Sequence, residues 1–246
     1  RTTYPDYELT VIDNSRSGAV ERFLRRWQRH GRPVRYVDWR RRPFNFAAMN
    51  NAAARATDAP FLLFLNDDTE VITPGWLEAM LELGARPEVG AVGVKLLYPD
   101  GRIQHAGVVA GIFGNVGHAF RGLDGSARHY FDLPDVIRNV SAVTGACLLV
   151  RSEAFQSVGG FDDASLPIDF NDIDLCLRLG QRGYRVLYTP HAVLRHHEGR
   201  SKQTRRVRAA PTAAMLMRSR WYEVIAADPF YSLNLTRRAE DYSIRS

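Results

Sequence analysis

Two adjacent carboxylates, Asp67 and Asp68, follow five apolar residues, 61–65, and one asparagine, Asn66. The apolar run predicts a buried strand, and ligands of open α/β sheets bind beyond the carboxyl ends of such strands. Neighbouring carboxylates repel each other, and a divalent cation relieves that repulsion. Hard oxygen ligands of this kind suit Mg²⁺ or Mn²⁺. The alternative is a polar turn that caps the next helix, because aspartate is common in turns.

Three further acids, Asp169, Asp172 and Asp174, crowd the start of a helix predicted over residues 172–182. Acidic residues favour helix N-termini, which accounts for one of them without any catalytic function. Asp174 lies four residues before Arg178, so we expect these two side chains to pair on the helix surface. Asp172 is then the freer carboxylate, and it is the candidate general base that takes a proton from a substrate hydroxyl.

Two histidines, His196 and His197, follow a short predicted strand and precede Glu198. Adjacent side chains of an extended chain point to opposite sides, so at most one of the two faces a given site. Metal ligation and an ordinary structural role both stay open for that histidine. Two weaker signals are Asp13, which can accept from a ribose hydroxyl or a base N–H, and Gly145, where a substrate can approach the backbone closely.

Short apolar runs alternate with helical patterns along the chain, which predicts βαβ units, an α/β fold and a mainly parallel sheet. Strands are predicted over residues 9–12, 34–37, 61–65, 89–97, 143–150, 185–188 and 192–194. Helices are predicted over residues 19–29, 46–56, 75–85, 152–158, 172–182 and 213–225. Residues 99–140 hold glycines, histidines and aromatic residues with little periodicity, and they predict a long irregular excursion.

The composition limits the class of protein. The 246 residues are 45% hydrophobic, which is enough for one large α/β domain, and 24% are charged, which excludes extensive disorder. No apolar run approaches the roughly 20 residues that span a bilayer, and no signal peptide opens the chain. Cys147 and Cys176 lie singly in apolar stretches, which indicates buried thiols in a reducing compartment and therefore a cytoplasmic protein.

The net charge is +6, and arginines cluster in residues 25–42 and 200–208. They form either a solvated surface or a surface that attracts nucleotide phosphates, lipid headgroups or nucleic acid. Segment 200–208 is predicted to close over a bound diphosphate, with contact to an anionic membrane surface as the alternative. Nucleic acid is not expected as a partner, because no nucleic-acid-binding module is recognisable.

Seven stretches resemble family 2 glycosyltransferases of the GT-A fold, especially bacterial enzymes of O-antigen and other cell-surface polysaccharide synthesis. The stretches are FNFAAMNNAAARAT, FLLFLNDDTEVITPGWLE, VGAVGVKLLYPDGRIQHAGVV, SAVTGACLLVRSEAF, GGFDD, NDIDLCLRLGQRGYRVLYTPHAVLRHHEGRS and DPFYSLNL. They occur in the family's order between residues 8 and 235. The resemblance implies metal-assisted, inverting transfer from a nucleoside diphosphate sugar, such as rhamnose on a deoxythymidine carrier, to a glycan or lipid-linked acceptor.

The resemblance also implies roles for residues that bind the donor. Asp13 corresponds to the acid that contacts the nucleotide base or ribose. Residues Asn66, Asp67 and Asp68 occupy the place of the family's D-x-D motif. Asp67 would contact the ribose, and Asp68 would contact the metal that bridges the diphosphate. Gly145 is added as a donor-binding candidate because glycine permits close approach to the backbone, and not because of the resemblance. Asparagine at position 66 departs from the motif's first acid.

Asp172 falls on the aspartate of the family's Glu-Asp pair, the base, and His196 falls on the histidine that completes the metal site. Asn171 replaces the glutamate of that pair. The family begins with a strand and helix that have no counterpart here, so the expected domains are a GT-A domain over 1–204 without them and a helical tail over 205–246. The alternatives are a sugar-phosphate nucleotidylyltransferase and an inactive nucleotide-sugar-binding module.

Overall fold

The computed structural model describes residues 2–15, 17–28, 34–197 and 211–245. The strands are β1 (Leu9–Asp13), β2 (Val34–Asp38), β3 (Phe61–Leu65), β4 (Thr69–Val71), β5 (Val89–Leu97), β6 (Ile103–His105), β7 (Val108–Ala110), β8 (Val116–His118), β9 (Arg138–Asn139), β10 (Cys147–Arg151) and β11 (Arg185–His196). The helices are α1 (Ala19–Gln28), α2 (Phe46–Ala54), α3 (Trp76–Gly84), α4 (Ser152–Ser157), α5 (Asn171–Gln181), α6 (Pro211–Arg220) and α7 (Tyr222–Ala226). The two strands predicted over 185–188 and 192–194 form the single strand β11.

The central sheet is mixed, whereas the apolar runs predicted a mainly parallel one. Its strand order is β3-β10-β5-β11-β4, and β6 and β9 pair with β5 and β11. Among the described strands of this sheet only β5 and β11 pair in parallel, and β10 runs antiparallel to both β3 and β5. The chain between β5 and β10 leaves the sheet and re-enters it at the same end of the strands, because Cys147 pairs with Leu65, the last residue of β3. Strand β10 therefore enters the sheet in the direction opposite to β5.

The first two strands form a parallel pair of their own. In the described part of the chain, no ladder joins β1 and β2 to the central sheet. The chain before β1 contacts the segment that leads into α3, where the N–H and hydroxyl of Thr3 both donate to the backbone oxygen of Pro74 at 3.1 Å. The strand and helix that the resemblance places before residue 1 stay a prediction.

The excursion over residues 99–140 contains more regular structure than predicted. It holds the short strands β6 to β9 and two short 3₁₀ segments. Each of these strands has two or three residues, and β6 and β9 pair with long strands of the central sheet. β7 and β8 pair with each other, whereas β6 and β9 depend on partners outside the excursion. All four are too short to leave a periodic pattern in the local sequence.

Different helices cover the two faces of the central sheet. Leu148 of β10 packs in one core cluster with Leu175 of α5. Its neighbours Cys147 and Leu149 belong to a second cluster with Met80 of α3. Consecutive side chains of a strand point to opposite faces, so β10 contributes to both clusters and is buried on both sides. The α/β architecture is therefore a sheet between two helical layers.

Both cysteines are free and buried, as predicted. Burial raises the pKa of both thiols, that of Cys176 to about 12. The thiols are consequently protonated at neutral pH, and they act as small apolar side chains of the core.

The C-terminal segment, residues 211–245, packs on the core of the sheet. Met217 of α6, Trp221 and Ile225 of α7 are buried in the same cluster as α5. Asp228 then accepts hydrogen bonds from the N–H of Ala110 and the hydroxyl of Ser141. The single helix predicted over 213–225 is divided at Trp221. The domain boundary at residue 204 stays a prediction, because it lies outside the described residues.

Asp174 joins α5 to α6. The residue is 0% exposed, and its carboxylate accepts from Nε of Arg178 at 2.7 Å, Nη1 of Arg220 at 2.9 Å and Nε1 of Trp221 at 3.0 Å. The pair predicted between Asp174 and Arg178 is therefore present. It lies beneath the C-terminal segment and not on an open helix surface, because α6 and Trp221 cover it.

We expect Asp174→Ala to lower the free energy of unfolding by about 3 kcal/mol, because the change leaves two arginines without their buried partner. Asp162→Ala is the matched control, since Asp162 also binds Nη1 of Arg220 at 2.9 Å but is partly exposed. Its loss should cost about 1 kcal/mol or less. Urea denaturation measures both values. Equal losses for the two variants would contradict the prediction.

Candidate active site

The turn after β3 lies against the end of β11. Strand β4 follows this turn and pairs with β11, placing Thr69 opposite His196. The pairing brings Oδ1 of Asp68 to 2.9 Å from Nε2 of His196, and the N–H of His197 donates to the backbone oxygen of Asp68. The hydrogen bond from His196 is the main cause that lowers the pKa of Asp68. This carboxylate is therefore ionised at neutral pH.

The two adjacent histidines have different partners. His196 is 9% exposed and lies between Asp68 and Gln104, with its Nδ1 at 2.7 Å from Oε1 of Gln104. His197 is more exposed, and its Nε2 lies 3.5 Å from Glu70. The structure thus directs the side chain of His196 to Asp68 and that of His197 elsewhere.

Asn66 connects the turn after β3 to the loop at residues 144–146. Its N–H donates to the backbone oxygen of Ala146 at 3.0 Å, and its own backbone oxygen accepts from the hydroxyl of Thr69 at 2.7 Å. Asp67 is exposed at the same edge of the sheet. A ligand that lies on this edge can therefore reach the side chain of Asp67.

Asp172 lies on the other side of the same loop. Its Oδ2 accepts from the N–H of Gly145 at 2.6 Å, and its Oδ1 accepts from the N–H of Ile173 at 2.9 Å. A Cβ atom at position 145 would lie only 3.2 Å from Cβ of Asp172, so glycine permits this close approach. Asn66 and Asp172 hold adjacent residues of one loop. The candidate base and the Asp68–His196 pair are thereby placed at the same edge of the sheet.

The environment of Asp172 predicts a pH dependence. Burial raises the pKa of Asp172 above its ordinary value, although hydrogen bonds from Gly145 and Ile173 oppose the rise. A general base must be ionised, so activity falls when the pH drops through this raised pKa. We expect the acid-side loss of kcat/KM at a higher pH than an exposed aspartate would produce. A profile that falls only where exposed aspartates titrate would contradict the role of Asp172.

Asp13 occupies a separate position at the end of β1. Its carboxylate accepts from the N–H of Ser15 at 2.8 Å and from the hydroxyl of Tyr36 at 2.9 Å. Burial acts to raise its pKa, but the hydrogen bonds from Ser15 and Tyr36 and the charge of Arg40 lower it overall. Within the described ranges, no hydrogen bond of its carboxylate joins Asp13 to the rest of the candidate site. The carboxylate is nevertheless ionised and can accept from a ligand.

Asn171 stands where the resemblance places a glutamate. The residue is 2% exposed, and its Nδ2 donates to the backbone oxygen of Ile168 at 2.6 Å. Phe170, which lies between them, has a φ of 63°. Such a left-handed conformation is costly for an aromatic residue and persists only where surrounding contacts hold it. Asn171 therefore braces the turn that presents Asp172.

The Asp68–His196 pair fits a divalent cation. Two ligands that each lie about 2.1 Å from a cation, at right angles, are about 3 Å apart. The observed distance between Oδ1 and Nε2 is 2.9 Å. In the described ranges, no group of three or more histidine, cysteine, aspartate or glutamate side chains could hold a metal by itself. A cation at the pair would therefore need further oxygen ligands from outside these side chains.

One residue of the site was not predicted from the sequence. Gln104 was missed, because it belongs to the excursion without periodicity. Its only signal was its place in VGAVGVKLLYPDGRIQHAGVV, one of the stretches that carry the resemblance. The lid predicted over residues 200–208 and the residue Glu198 both lie outside the described residues.

Comparisons with known proteins give the family of the chain and its fold. The sequence profile described as "Glycosyltransferase like family 2" matches residues 1–224. The chain belongs to this family. This glycosyltransferase domain is 40% identical over 251 residues to the O-antigen biosynthesis protein RfbC of Myxococcus xanthus, covering 100% of the chain but 19% of that protein.

A second relative is the N-acetylglucosaminyl-diphospho-decaprenol L-rhamnosyltransferase of Mycobacterium tuberculosis (strain CDC 1551 / Oshkosh). It is 35% identical over 136 residues, which cover 52% of this chain and 44% of that enzyme. The crystal structure of GalNAc-T7 with UDP, GalNAc and Mn²⁺ superposes with a TM-score of 0.60 at 13% identity, covering 77% of this chain and 37% of that one. The predicted GT-A fold of the glycosyltransferase domain is thereby confirmed.

Proposed function

We propose that this domain transfers a sugar from a nucleoside diphosphate sugar to a hydroxyl group and inverts the configuration at the anomeric carbon. The observation that carries the proposal is the loop 144–146, which is bonded to Asp172 on one side and to Asn66 on the other. A candidate base and a candidate diphosphate site thus lie at the same end of the central sheet, next to the end of β3. The name of the relative RfbC supports cell-surface polysaccharide synthesis as the process.

Mn²⁺ or Mg²⁺ is the proposed cofactor, and Asp68 and His196 are the residues that would hold it. The separation of 2.9 Å between their ligand atoms supports this assignment. When bound, such a cation stabilises the negative charge that develops on a departing diphosphate. The presence of Mn²⁺ with UDP in GalNAc-T7, which shares the fold, is consistent with it.

The donor would lie along the carboxyl edge of the sheet. We assign Asp13 to the base or the ribose, Asn66 and Asp67 to the ribose and the neighbouring donor atoms, and Gly145 to close backbone approach by the sugar. The exposure of Asp67 and the ionised state of Asp13 support these roles. Ionised carboxylates are strong acceptors for hydroxyl and N–H donors, which are the groups that a nucleoside presents.

Asp172 is the proposed general base. Its carboxylate takes the proton of the acceptor hydroxyl while the hydroxyl oxygen forms a bond to the anomeric carbon. The bond between that carbon and the diphosphate oxygen breaks on the opposite face, and the nucleoside diphosphate leaves with the electron pair. One displacement of this kind inverts the configuration. The raised pKa of Asp172 makes its carboxylate a better proton acceptor than an exposed aspartate.

The proposed acceptor is a glycan or a lipid-linked saccharide, and the proposed donor is rhamnose on deoxythymidine diphosphate. Support comes from the name of the mycobacterial relative, which combines rhamnose with a polyprenyl diphosphate acceptor. The buried free thiols favour the cytoplasm, and a lipid-linked acceptor would place the protein at the inner face of the plasma membrane. Within the described ranges, no helix is both long enough and apolar enough to cross a membrane.

A panel of nucleoside diphosphate sugars, each assayed with Mn²⁺ and with a chelator, tests the proposal. We expect one donor to release its nucleoside diphosphate in the presence of Mn²⁺ and not in the presence of the chelator. A nucleotidylyltransferase would instead release pyrophosphate from a nucleoside triphosphate and a sugar phosphate. A binding module would be stabilised against heat by a donor without releasing product. Either of these results would contradict the proposal.

A further inference from the structure

Gln104 is an almost fully buried amide next to the candidate metal site. It is 5% exposed and belongs to β6, which lies along one edge of β5. Strand β11, which carries His196, pairs along the other edge of β5. The side chain of Gln104 therefore reaches over the end of β5 to contact His196. The chemistry proposed above assigns no role to the contact between Gln104 and His196.

A β-bulge directs Gln104 to this position. The register pairs Leu96 with His105 and Leu97 with Ile103, so Gln104 is the extra residue between two paired ones. Bulges of this kind turn a side chain out of the regular alternation and recur next to active sites. The neighbours of Gln104 are fixed on both sides. The N–H of Ile103 donates to Leu123, and the fully buried His105 lies with its Nδ1 at 2.9 Å from Nδ1 of His118.

The bond between Gln104 and His196 determines what the other nitrogen of His196 can do. Oε1 of Gln104 lies 2.7 Å from Nδ1 of His196, and an amide oxygen only accepts, so Nδ1 carries a proton. The other nitrogen, Nε2, lies 2.9 Å from the carboxylate of Asp68. Two lone pairs at that distance repel each other, so a proton or a cation must lie between Nε2 and Asp68.

We propose that Gln104 is a positioning residue that holds His196 in the tautomer and ring orientation needed to share a divalent cation with Asp68. The inference rests on the proposed function and deepens it. An acceptor at Nδ1 keeps the lone pair of Nε2 for the metal and raises the ligand's basicity. Without that acceptor, the imidazole can rotate or exchange its proton to Nε2, and a protonated Nε2 cannot bind a cation.

The test compares Gln104→Leu with Asn115→Leu. Asn115 is also a buried amide, with its Nδ2 donating to the backbone oxygen of Ala214 at 3.2 Å, but it lies next to α6 and away from His196. Titration calorimetry with Mn²⁺, in the presence of deoxythymidine diphosphate and in its absence, measures cation affinity. We expect Gln104→Leu to weaken Mn²⁺ binding by about 10–100-fold. Asn115→Leu should lower the melting temperature and leave Mn²⁺ affinity unchanged.

A conservative variant and a spectroscopic measurement separate positioning from packing. Gln104→Glu keeps an oxygen acceptor, so Mn²⁺ affinity should equal or exceed that of the parent. Nitrogen NMR of labelled histidine should show the proton of His196 on Nδ1 in the parent protein with the diamagnetic cation Mg²⁺ and deoxythymidine diphosphate. Gln104→Leu should lose that signature under the same conditions.

The possible results distinguish the inference about Gln104 from the proposed function. If the parent binds Mn²⁺ and Gln104→Leu binds it equally well, the inference about Gln104 is overturned while the proposed function stands. Loss of affinity in both leucine variants would show a general packing defect and would also overturn it. A parent that binds no Mn²⁺, with or without deoxythymidine diphosphate, would overturn the proposed cofactor and this inference together.

Discussion

Replacement of Asp172 by asparagine is expected to lower turnover by about 10²–10⁴-fold, the usual cost of losing a general base. The amide cannot take the proton of the acceptor hydroxyl at neutral pH. The affinity for nucleoside diphosphate should stay within about threefold of the parent value, because Asp172 acts on the acceptor and not on the donor. Steady-state kinetics with the donor found in the panel, together with calorimetry for the nucleoside diphosphate, measures both quantities.

Two further variants make this result specific. Asparagine retains one oxygen for the two N–H groups of Gly145 and Ile173, so its amide nitrogen faces one of these donors. Asp172→Ala removes that conflict and should show the same loss of turnover. Asp169→Asn removes an acid from the same cluster and should change turnover by less than about threefold. Turnover of Asp172→Asn near that of the parent would show that another residue accepts the proton.

The second large effect is expected at the Asp68–His196 pair. Asp68→Ala and His196→Ala should each weaken Mn²⁺ binding by more than the roughly 10–100-fold that follows loss of a ligand's hydrogen-bond partner. Each change removes one of the two protein ligands proposed for the cation. Calorimetry with Mn²⁺ and deoxythymidine diphosphate measures the affinity, and chelator-treated protein provides the reference.

His197→Ala is the matched control for this prediction. His197 is the neighbour of His196, but its Nε2 lies 3.5 Å from Glu70 on the other side of β11. Removal of its imidazole should therefore leave Mn²⁺ affinity within about threefold of the parent value. A large loss of Mn²⁺ affinity in His197→Ala, with little change in His196→Ala, would show that the cation binds His197 and not His196.

Local features of the sequence were enough to predict several elements of the site. The apolar run 61–65 and the polar residues after it predicted a strand that ends at Leu65, and β3 has these bounds. The acids that crowd residues 169–174 agreed with a helix start at the candidate base Asp172, and α5 begins one residue earlier. Such features depend on hydrophobicity and on helix-terminal preferences within a few residues, which a single sequence displays directly.

Strand direction could not be predicted in this way. The run before Arg151 indicated a strand but not whether it lay parallel or antiparallel to β5. That choice depends on where the excursion over residues 99–140 returns to the sheet. The excursion's own strands are too short to show a period, and β9 exists only because Asn139 and Arg138 pair with Leu187 and Tyr188 of β11.

The sequence by itself determined the family, the α/β class and the residue types available for chemistry, because motif order and local patterning are properties of the chain. Only the tertiary structure decided which of those residues meet. Asp68 and His196 are 128 positions apart, and Gln104 and His196 are 92 apart. Burial of Asp174 likewise depends on α6. The contacts of His196 with Asp68 and Gln104 arise because β4, β11, β5 and β6 pair side by side in the sheet. Pairing between distant segments leaves no pattern in either segment alone.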